Sequence, residues 1–525
     1  MVLKTRLLIG SGIAVAAVGL FFAYLRMAYA FPINSDGASN ALQAWDMFHG
    51  NPLLSGWTLS DVAFYPTELI QYAIVQVFTG PTVDQIHIAA AITYTMIVLL
   101  AAALAKGRAT GLQAWLRVGV TVAILLCPVP GTGYQTLLSS PNHTGSAVPL
   151  LLAWGAIDRM RDTKAKPVVV ALLLGWGAWG DPLVTFVGAV PLALVCLVRA
   201  LRLPGSLRSR LTSMDFQLAV AGGMSVALSH LATWALHAIG GYHTPKPPIE
   251  LSPWDEWFGR AHMTARMLGV LFGTHRPGWQ GKWVQQGVSY LHLIGFVVAL
   301  VAVAIVLLRT LRGTADRVES IMAIAICCDI GAEIVSTLPV DLMAAREISP
   351  VLPMAAVIAG RVVGPRLMAA DGPTGRRFTA RWRQGVLAGV LALLTLNLVA
   401  YSPPRAQASE GQEVADWLQA RGLTYGLGAY WVSNNITVTT HRKVTVAPVI
   451  GDHDRVIPMC WQSKTDMYDA AHDARFIVFE KDRPFYGTPA QAMRMWGSPK
   501  QRFDSGRYAV LVYDVNLLAG FPPPC

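Results

Sequence analysis

The sequence predicts a polytopic α-helical membrane protein of about eleven transmembrane helices, closed by a C-terminal extracytoplasmic α/β domain. Three observations carry that prediction. Only 14% of the 525 residues are charged while 53% are hydrophobic, where soluble chains carry about a quarter charged residues. The apolar residues fall in blocks of roughly 15 to 25, which is bilayer-spanning length. The blocks lack the period-2 alternation of barrel strands, so helices are the form that satisfies the backbone in lipid. Lys and Arg collect in alternate connections, as they do in loops kept on the cytoplasmic side. The net charge of +11 therefore marks orientation and gives no reason to expect a nucleic acid.

The first apolar block, 7–27, follows Lys4 and Arg6. A cleaved signal is the rival reading, but the block is long for one and Ala28-Tyr29-Ala30 is an ordinary cleavage site, so a retained helix is expected. A long outer segment, 31–84, holds no span. Within it, 67–78 is apolar but too short to cross, and is expected to lie as an amphipathic helix at the interface. The second helix covers 85–104 and the third 112–127. Pro128, Pro130, Gly131 and Gly133 make an outer turn. The fourth covers 146–157 with an earlier start near Tyr134, the fifth 168–180, the sixth 183–198 and the seventh 216–239. A second outer segment, 240–286, leads to the eighth, 288–308. The ninth covers 318–340, the tenth 348–363 and the eleventh 386–400. The loop after the tenth is the most basic and is taken to include Arg361.

Domain 1–401 is thus the membrane part, with its N-terminus cytoplasmic, and 402–525 is an outer α/β domain, long enough for its own core. Within the latter, 410–419 has helical spacing, and 436–440, 443–449, 475–479 and 508–513 read as short strands. The expected location is the bacterial inner membrane.

Candidate reactive residues fall on the outer side. Asp36 lies in Ile33-Asn34-Ser35-Asp36-Gly37. Ser35 or Asp36 is placed to cap a helix, and a carboxylate at the membrane rim can also serve as a general base. Asp181, in Trp179-Gly180-Asp181-Pro182, combines a helix cap with an acid at membrane depth. His143 lies in Pro141-Asn142-His143-Thr144. Arg346, in Asp341-Leu342-Met343-Ala344-Ala345-Arg346-Glu347, suits bidentate phosphate binding, or else pairs with a carboxylate. The second outer segment mixes Trp254, Trp257, Phe272 and Trp279 with Arg260, Arg266, His275, Arg276 and Lys282. That pattern serves an interfacial anchor or an anionic head group. Asp329 and Glu333, four apart in the ninth helix, lie on one helical face.

Cys460 and Cys525 are either a disulfide pair or two unrelated thiols. There is no His-x-x-x-His and no paired CxxC, so no metal motif supports a divalent cation. Gly451-Asp452-His453-Asp454 reads as a polar loop. No Gly-rich phosphate loop precedes a helix, so no nucleotide cofactor is expected.

Together these features resemble the class C integral-membrane glycosyltransferases, which include protein O-mannosyltransferases, lipid A aminoarabinose transferases and oligosaccharyltransferases. Asp36 matches the family's acid after the first helix. Tyr65-Pro66-Thr67-Glu68-Leu69 is similar to the entry to its interfacial helix. Ala345-Arg346-Glu347-Ile348 with Pro350 and Pro353 is similar to its late outer Arg before a Pro-bearing helix, and Tyr425–Trp431 to the start of its soluble domain. The resemblance implies an inverting transfer from a polyprenyl-phosphate sugar to a glycan, lipid or protein acceptor. Asp36 would be the base, with Asp181 as a second catalytic carboxylate. The donor phosphate would meet Arg346, His143, Arg276 and Lys282. Asp46, Asp61, Glu68 and Asp341 are further candidates for an acid or for acceptor contacts. Against this stand a transporter or lipid flippase, for which Asp329 and Glu333 speak, and a non-catalytic envelope assembly protein built around the C-terminal domain.

Overall fold

The computed structural model describes residues 2–129, 132–246, 250–274, 283–338, 341–368, 376–400 and 406–523. In chain order the helices are α1 (Val2–Ala28), α2 (Ser35–Phe48), α3 (Glu68–Thr79), α4 (Asp84–Lys106), α5 (Gly111–Leu125), α6 (Thr132–Leu138), α7 (Ala147–Arg159), α8 (Ala165–Gly180), α9 (Val190–Arg202), α10 (Leu207–Leu211), α11 (Met214–Ala238), α12 (Trp257–Leu271), α13 (Trp283–Leu311), α14 (Arg317–Val335), α15 (Val351–Met368), α16 (Arg376–Ala400), α17 (Gln412–Ala420), α18 (Tyr430–Thr439) and α19 (Pro489–Trp496). The strands are β1 (Trp57–Thr58), β2 (Tyr425–Ala429), β3 (Thr445–Asp452), β4 (Arg455–Pro458), β5 (Ser463–Lys464), β6 (Phe476–Glu480), β7 (Gln501–Ser505) and β8 (Tyr508–Val512).

The chain forms two compact units. One comprises Met1–Ala28, Ala91–Leu231 and Pro248–Pro403; the other comprises Tyr29–Ala90, Ala232–Pro247 and Pro404–Cys525.

The first unit is helical. Each expected span coincides with a helix, and among the described residues seven helices are long and apolar enough to cross a bilayer. Helices α5 and α8 are apolar but shorter. At the centre lies α15, buried without interruption from Val351 to Gly360. Its Gly360 and Gly364, four apart, let α5 approach to backbone contact. A Cβ at Gly360 would stand 2.2 Å from Thr121 Oγ1 and 2.5 Å from the Arg117 carbonyl. The close approach also lets Thr121 Oγ1 donate to the Ala356 carbonyl at 3.1 Å.

The structure corrects two expectations here. The fourth helix does not run on from near Tyr134. It is split into α6 and α7, because Pro141 supplies no amide and His143 takes φ +59°. Nor is Arg361 a loop residue. It is a buried part of α15, where its guanidinium bonds the Leu104 carbonyl at 2.7 Å and pairs with Asp158 at 3.0 Å. A buried guanidinium needs such partners. In the first turn of α9, Pro191 lacks the amide that would bond back to Val187, and just ahead of that helix the chain widens to a π turn over Thr185–Ala189.

The second unit is built on a six-stranded sheet in the order β4-β3-β2-β6-β8-β7. Strand β2 is parallel to β3 and β6, and the other pairs are antiparallel. Alternation along β6 divides the core. Phe476 and Val478 face a cluster with Val432 and Ile436 of α18. Ile477 and Phe479 face the opposite cluster with Leu427 and Leu511. Residues 436–440, expected as a strand, lie mainly in α18. Their β-branched run has strand propensity, but the chain needs a crossover between parallel β2 and β3, and a helix supplies it. Strand β2 was hidden by its glycines. A Cβ on Gly426 would meet Phe476 at 2.5 Å, so the neighbouring ring requires glycine there.

The segment Tyr29–Ala90 contributes α2 and α3 to this unit. Helix α3 buries Leu69, Tyr72, Ala73 and Val75 and exposes Ile70, Ile74, Val77 and Phe78. Short β1 pairs antiparallel with β5.

Candidate active site

The second unit holds Asp36. The helix cap is Asn34, whose side chain accepts from the Gly37 amide at 3.0 Å. Neither Ser35 nor Asp36 has that duty, which corrects the local reading. Ser35 Oγ instead donates to the Tyr430 carbonyl at 2.6 Å. Asp36 sits in the first turn of α2, where the helix dipole favours a carboxylate, and is 7% exposed. Tyr430 Oη donates to Asp36 Oδ1 at 2.5 Å and lies 2.8 Å from the Gln462 side-chain amide. A phenol has one proton, and the carboxylate is the stronger acceptor. The phenol proton therefore goes to Asp36, and Gln462 Oε1 stands beside the phenol as a second, competing acceptor.

Tyr430 opens α18 directly after β2, so it stands at the carboxyl end of a parallel strand, where ligands of open α/β sheets bind. An aromatic surface surrounds it. Tyr486 lies 6.0 Å from the Tyr430 ring, Trp431 lies 5.0 Å from it, and the Arg483 guanidinium lies 5.2 Å from the Trp431 ring centre. Burial pushes the Tyr486 phenol above its usual range, and the Asp36 charge adds to that push.

Glu68, 2% exposed at the start of α3, accepts from Thr67 Oγ1. Its charge and that of Asp36 both act on buried Tyr72, whose phenol is raised first by burial and then by these two carboxylates. Glu68 therefore belongs to the surroundings of Asp36. Asp46 does other work. It accepts from Trp57 Nε1 at 2.8 Å and from Asn51 at 2.9 Å, and pairs with Lys464 at 3.2 Å, tying β1 to β5. Burial opposes its ionised form, but these donors outweigh burial and hold it below the ordinary carboxylate range. Asp61 is half-buried in the bend between β1 and α3.

The first unit holds a second constellation. Asp181 ends α8 and is 2% exposed. Its Oδ2 accepts from Ser146 Oγ at 2.6 Å and from His143 Nδ1 at 3.0 Å, while Oδ1 accepts from the Leu183 amide at 3.0 Å. It therefore caps the following turn and orients the imidazole together. Burial alone would lower the His143 pKa, but the charge and hydrogen bond of Asp181 outweigh it and raise the pKa above the ordinary histidine value. Burial likewise opposes ionisation of Asp181, and His143, Ser146 and the Leu183 amide bring its pKa below the usual value. The charges of Arg346 and Glu347 also reach His143. Asp329 and Glu333, one turn apart on buried α14, lie within electrostatic reach of Glu347; Asp181 also acts on Asp329, and His143 on Glu333. Asp341 caps the turn Leu342–Arg346 by accepting from the Met343 amide at 2.7 Å.

Cys460 is disulfide-bonded. Cys525, its expected partner, lies outside the described residues, as do His275, Arg276, Trp279 and Lys282. Among the described residues no three His, Cys, Asp or Glu side chains are grouped to hold a metal ion. The contact that sequence reasoning missed is Tyr430 with Asp36, since nothing local links residues so far apart in the chain.

No family model and no curated protein matches the sequence. Solved structures do match. ArnT from Cupriavidus metallidurans in the apo state superposes with a TM-score of 0.55 at 13% identity, covering 100% of both chains. The same protein bound to undecaprenyl phosphate gives 0.53 at 12% identity, covering 98% of this chain and 99% of that one. The apo oligosaccharyltransferase of Archaeoglobus fulgidus gives 0.52 at 11% identity, covering 92% of this chain and 71% of that one. The chain is a polytopic membrane protein with the fold of the class C integral-membrane glycosyltransferases.

Proposed function

We propose that the protein is a membrane glycosyltransferase that moves a sugar from a polyprenyl-phosphate carrier to an acceptor hydroxyl, with Asp36 as general base. The observation that carries this reading is the Asp36 carboxylate, held in the first turn of α2 by Tyr430. The fold likeness adds support, since the Cupriavidus ArnT of the same fold binds undecaprenyl phosphate.

In this reaction Asp36 takes the proton of the acceptor hydroxyl. The acceptor oxygen bonds to the anomeric carbon from the face opposite the phosphate, the carbon–phosphate-oxygen bond breaks, and the configuration inverts. The electron pair leaves with the polyprenyl phosphate, whose negative charge grows in the transition state. Fixed cations favour that state over the ground state. His143, whose protonated form Asp181 favours, and Arg346 are the residues proposed to meet the phosphate, with Asp181 positioning the imidazole. Trp431, Tyr486 and Arg483 are proposed to receive the acceptor. The lipid-linked sugar is the substrate, and no further cofactor is invoked. The disulfide at Cys460 supports an oxidising, extracytoplasmic location for the C-terminal part, and with it a cytoplasmic N-terminus in a bacterial inner membrane.

The test is transfer from radiolabelled polyprenyl-phosphate sugar into native membrane acceptors. Asp36→Asn is expected to lose roughly 10²- to 10⁴-fold in rate. Tyr430→Phe is expected to keep the fold but lower the transfer rate, because the carboxylate loses the hydrogen bond that orients it. Full activity of folded Asp36→Asn removes the assignment. Asp329 and Glu333, buried in an apolar helix, favour a proton-coupled transporter as the second reading; proton-driven uptake into vesicles that is lost in Asp329→Asn would establish it instead.

A further inference from the structure

Helix α8 runs from Ala165 to Gly180, and Asp181 follows its last residue. Its opposite end borders a groove that the proposed reaction does not use. From Leu172, the last groove residue on α8, to Asp181 the helix rises about 14 Å, so the groove is separate from the His143–Asp181 constellation. Its volume is about 410 Å³, within the range of roughly 300–1,000 Å³ typical of single small ligands. The walls come from Val168 and Leu172 of α8, Leu211 of α10, and Phe216, Val220 and Met224 of α11. Val168 and Leu172 are each 56% exposed, Val220 48% and Met224 49%. Such a wall on a soluble protein would be an aggregation hazard. Here α11 is long and apolar enough to cross a bilayer, where such a wall faces acyl chains.

The chain next to the groove's lining residues is basic. From Leu201 near the end of α9 to Met214 at the start of α11 the chain carries Arg202, Arg208 and Arg210 and no acid. Lys164, three residues before Pro167, stands at the N-cap position of α8 and is exposed, as is Arg208. The nearest acids are already engaged: Asp162 by Lys166 at 2.5 Å, and Asp215 by Arg317 at 2.7 Å and Arg199 at 3.4 Å. Helix α10, Leu207-Arg208-Ser209-Arg210-Leu211, exposes both of its leucines. That pattern lies at a bilayer interface, with leucine reaching hydrocarbon and arginine reaching head groups.

We propose that this groove binds one anionic phospholipid. An acyl chain would lie between α8 and α11, and its phosphate would meet Lys164 and Arg208. The occupant is a phospholipid of the leaflet that faces the basic loops. The proposal stands independently of the sugar transfer, and its failure would leave that reading untouched.

The test is native mass spectrometry of the full chain, released from nanodiscs of equal phosphatidylglycerol and phosphatidylethanolamine. Wild type is expected to retain one phosphatidylglycerol in excess. Lys164→Gln with Arg208→Gln is expected to lower that excess by roughly fivefold per charge removed. Leu172→Trp, which fills the groove from an exposed position, is expected to lose the adduct while keeping its melting temperature. Equal retention of the two phospholipids by wild type, undiminished retention by Leu172→Trp, or preferential retention of added undecaprenyl phosphate in their place overturns the proposal.

Discussion

His143 takes a backbone conformation that non-glycine residues rarely adopt, φ +59°, and its ring bonds the Asp181 carboxylate at 3.0 Å. The Asp181 charge raises the His143 pKa above 6.5, so the stability it adds is complete below about pH 6.5 and is lost as pH rises through the raised value. Asp181 is shifted the opposite way, below 3.8. Its contribution is complete above about pH 4 and is lost only as pH falls through the lowered value. The pair is therefore intact between these limits. The melting temperature of wild type should exceed that of His143→Gln by most near pH 5 to 6, with the gap closing toward pH 9; a gap that stays constant to pH 9 contradicts the ion pair. The sequence offered His143 and Asp181 as separate candidates 38 residues apart. Their types were legible, but their contact was not, because it depends on where α7 and α8 meet. For Asp36 the residue was legible as a candidate while its cap was misread: Asn34, Ser35 and Asp36 are all capable caps, and the backbone chose the first.

Helices α5 and α15 show how an element is fixed by what is missing from its surface. At Gly360 a single methyl would overlap both a hydroxyl and a carbonyl of α5, and at Gly364 it would stand 2.8 Å from Arg117 Cγ. Gly360→Ala is expected to cost about 1–3 kcal/mol and to lower the melting temperature in detergent, with Gly331→Ala as the control, since nothing lies within 4 Å of a Cβ there. Equal melting of the two variants would show that α5 yields without cost. The spans were readable because hydropathy and basic loops act locally on each block. By contrast, α18 was unreadable from Ile436-Thr437-Val438-Thr439. Local β propensity is weak, and the crossover between β2 and β3 overrides it. Arg361 was misplaced for a related reason: its carboxylate partners, Asp158 and the exposed Asp316, lie elsewhere in the chain.

Across the whole molecule, the second unit is assembled from three distant chain segments. Helices α2 and α18 pack together in it, and Ser35, Ala38 and Ala41 of α2 are fully buried. A chain ended at Pro403 should leave α2 without its cover. Limited proteolysis is then expected to cut within 29–90 of the truncated chain much faster than in the full chain; equal protection would show that α2 folds without the C-terminal part. The same arrangement sets a timetable for synthesis. Asp36 is made early in synthesis, whereas Tyr430 follows 394 positions later. At about 5–20 residues per second, the ribosome needs roughly 20 to 80 s to close that interval. Throughout it, the nascent α2 must be sheltered by lipid or by a chaperone, so an interruption late in translation would release a protein whose helices are inserted but whose carboxylate has never met its phenol.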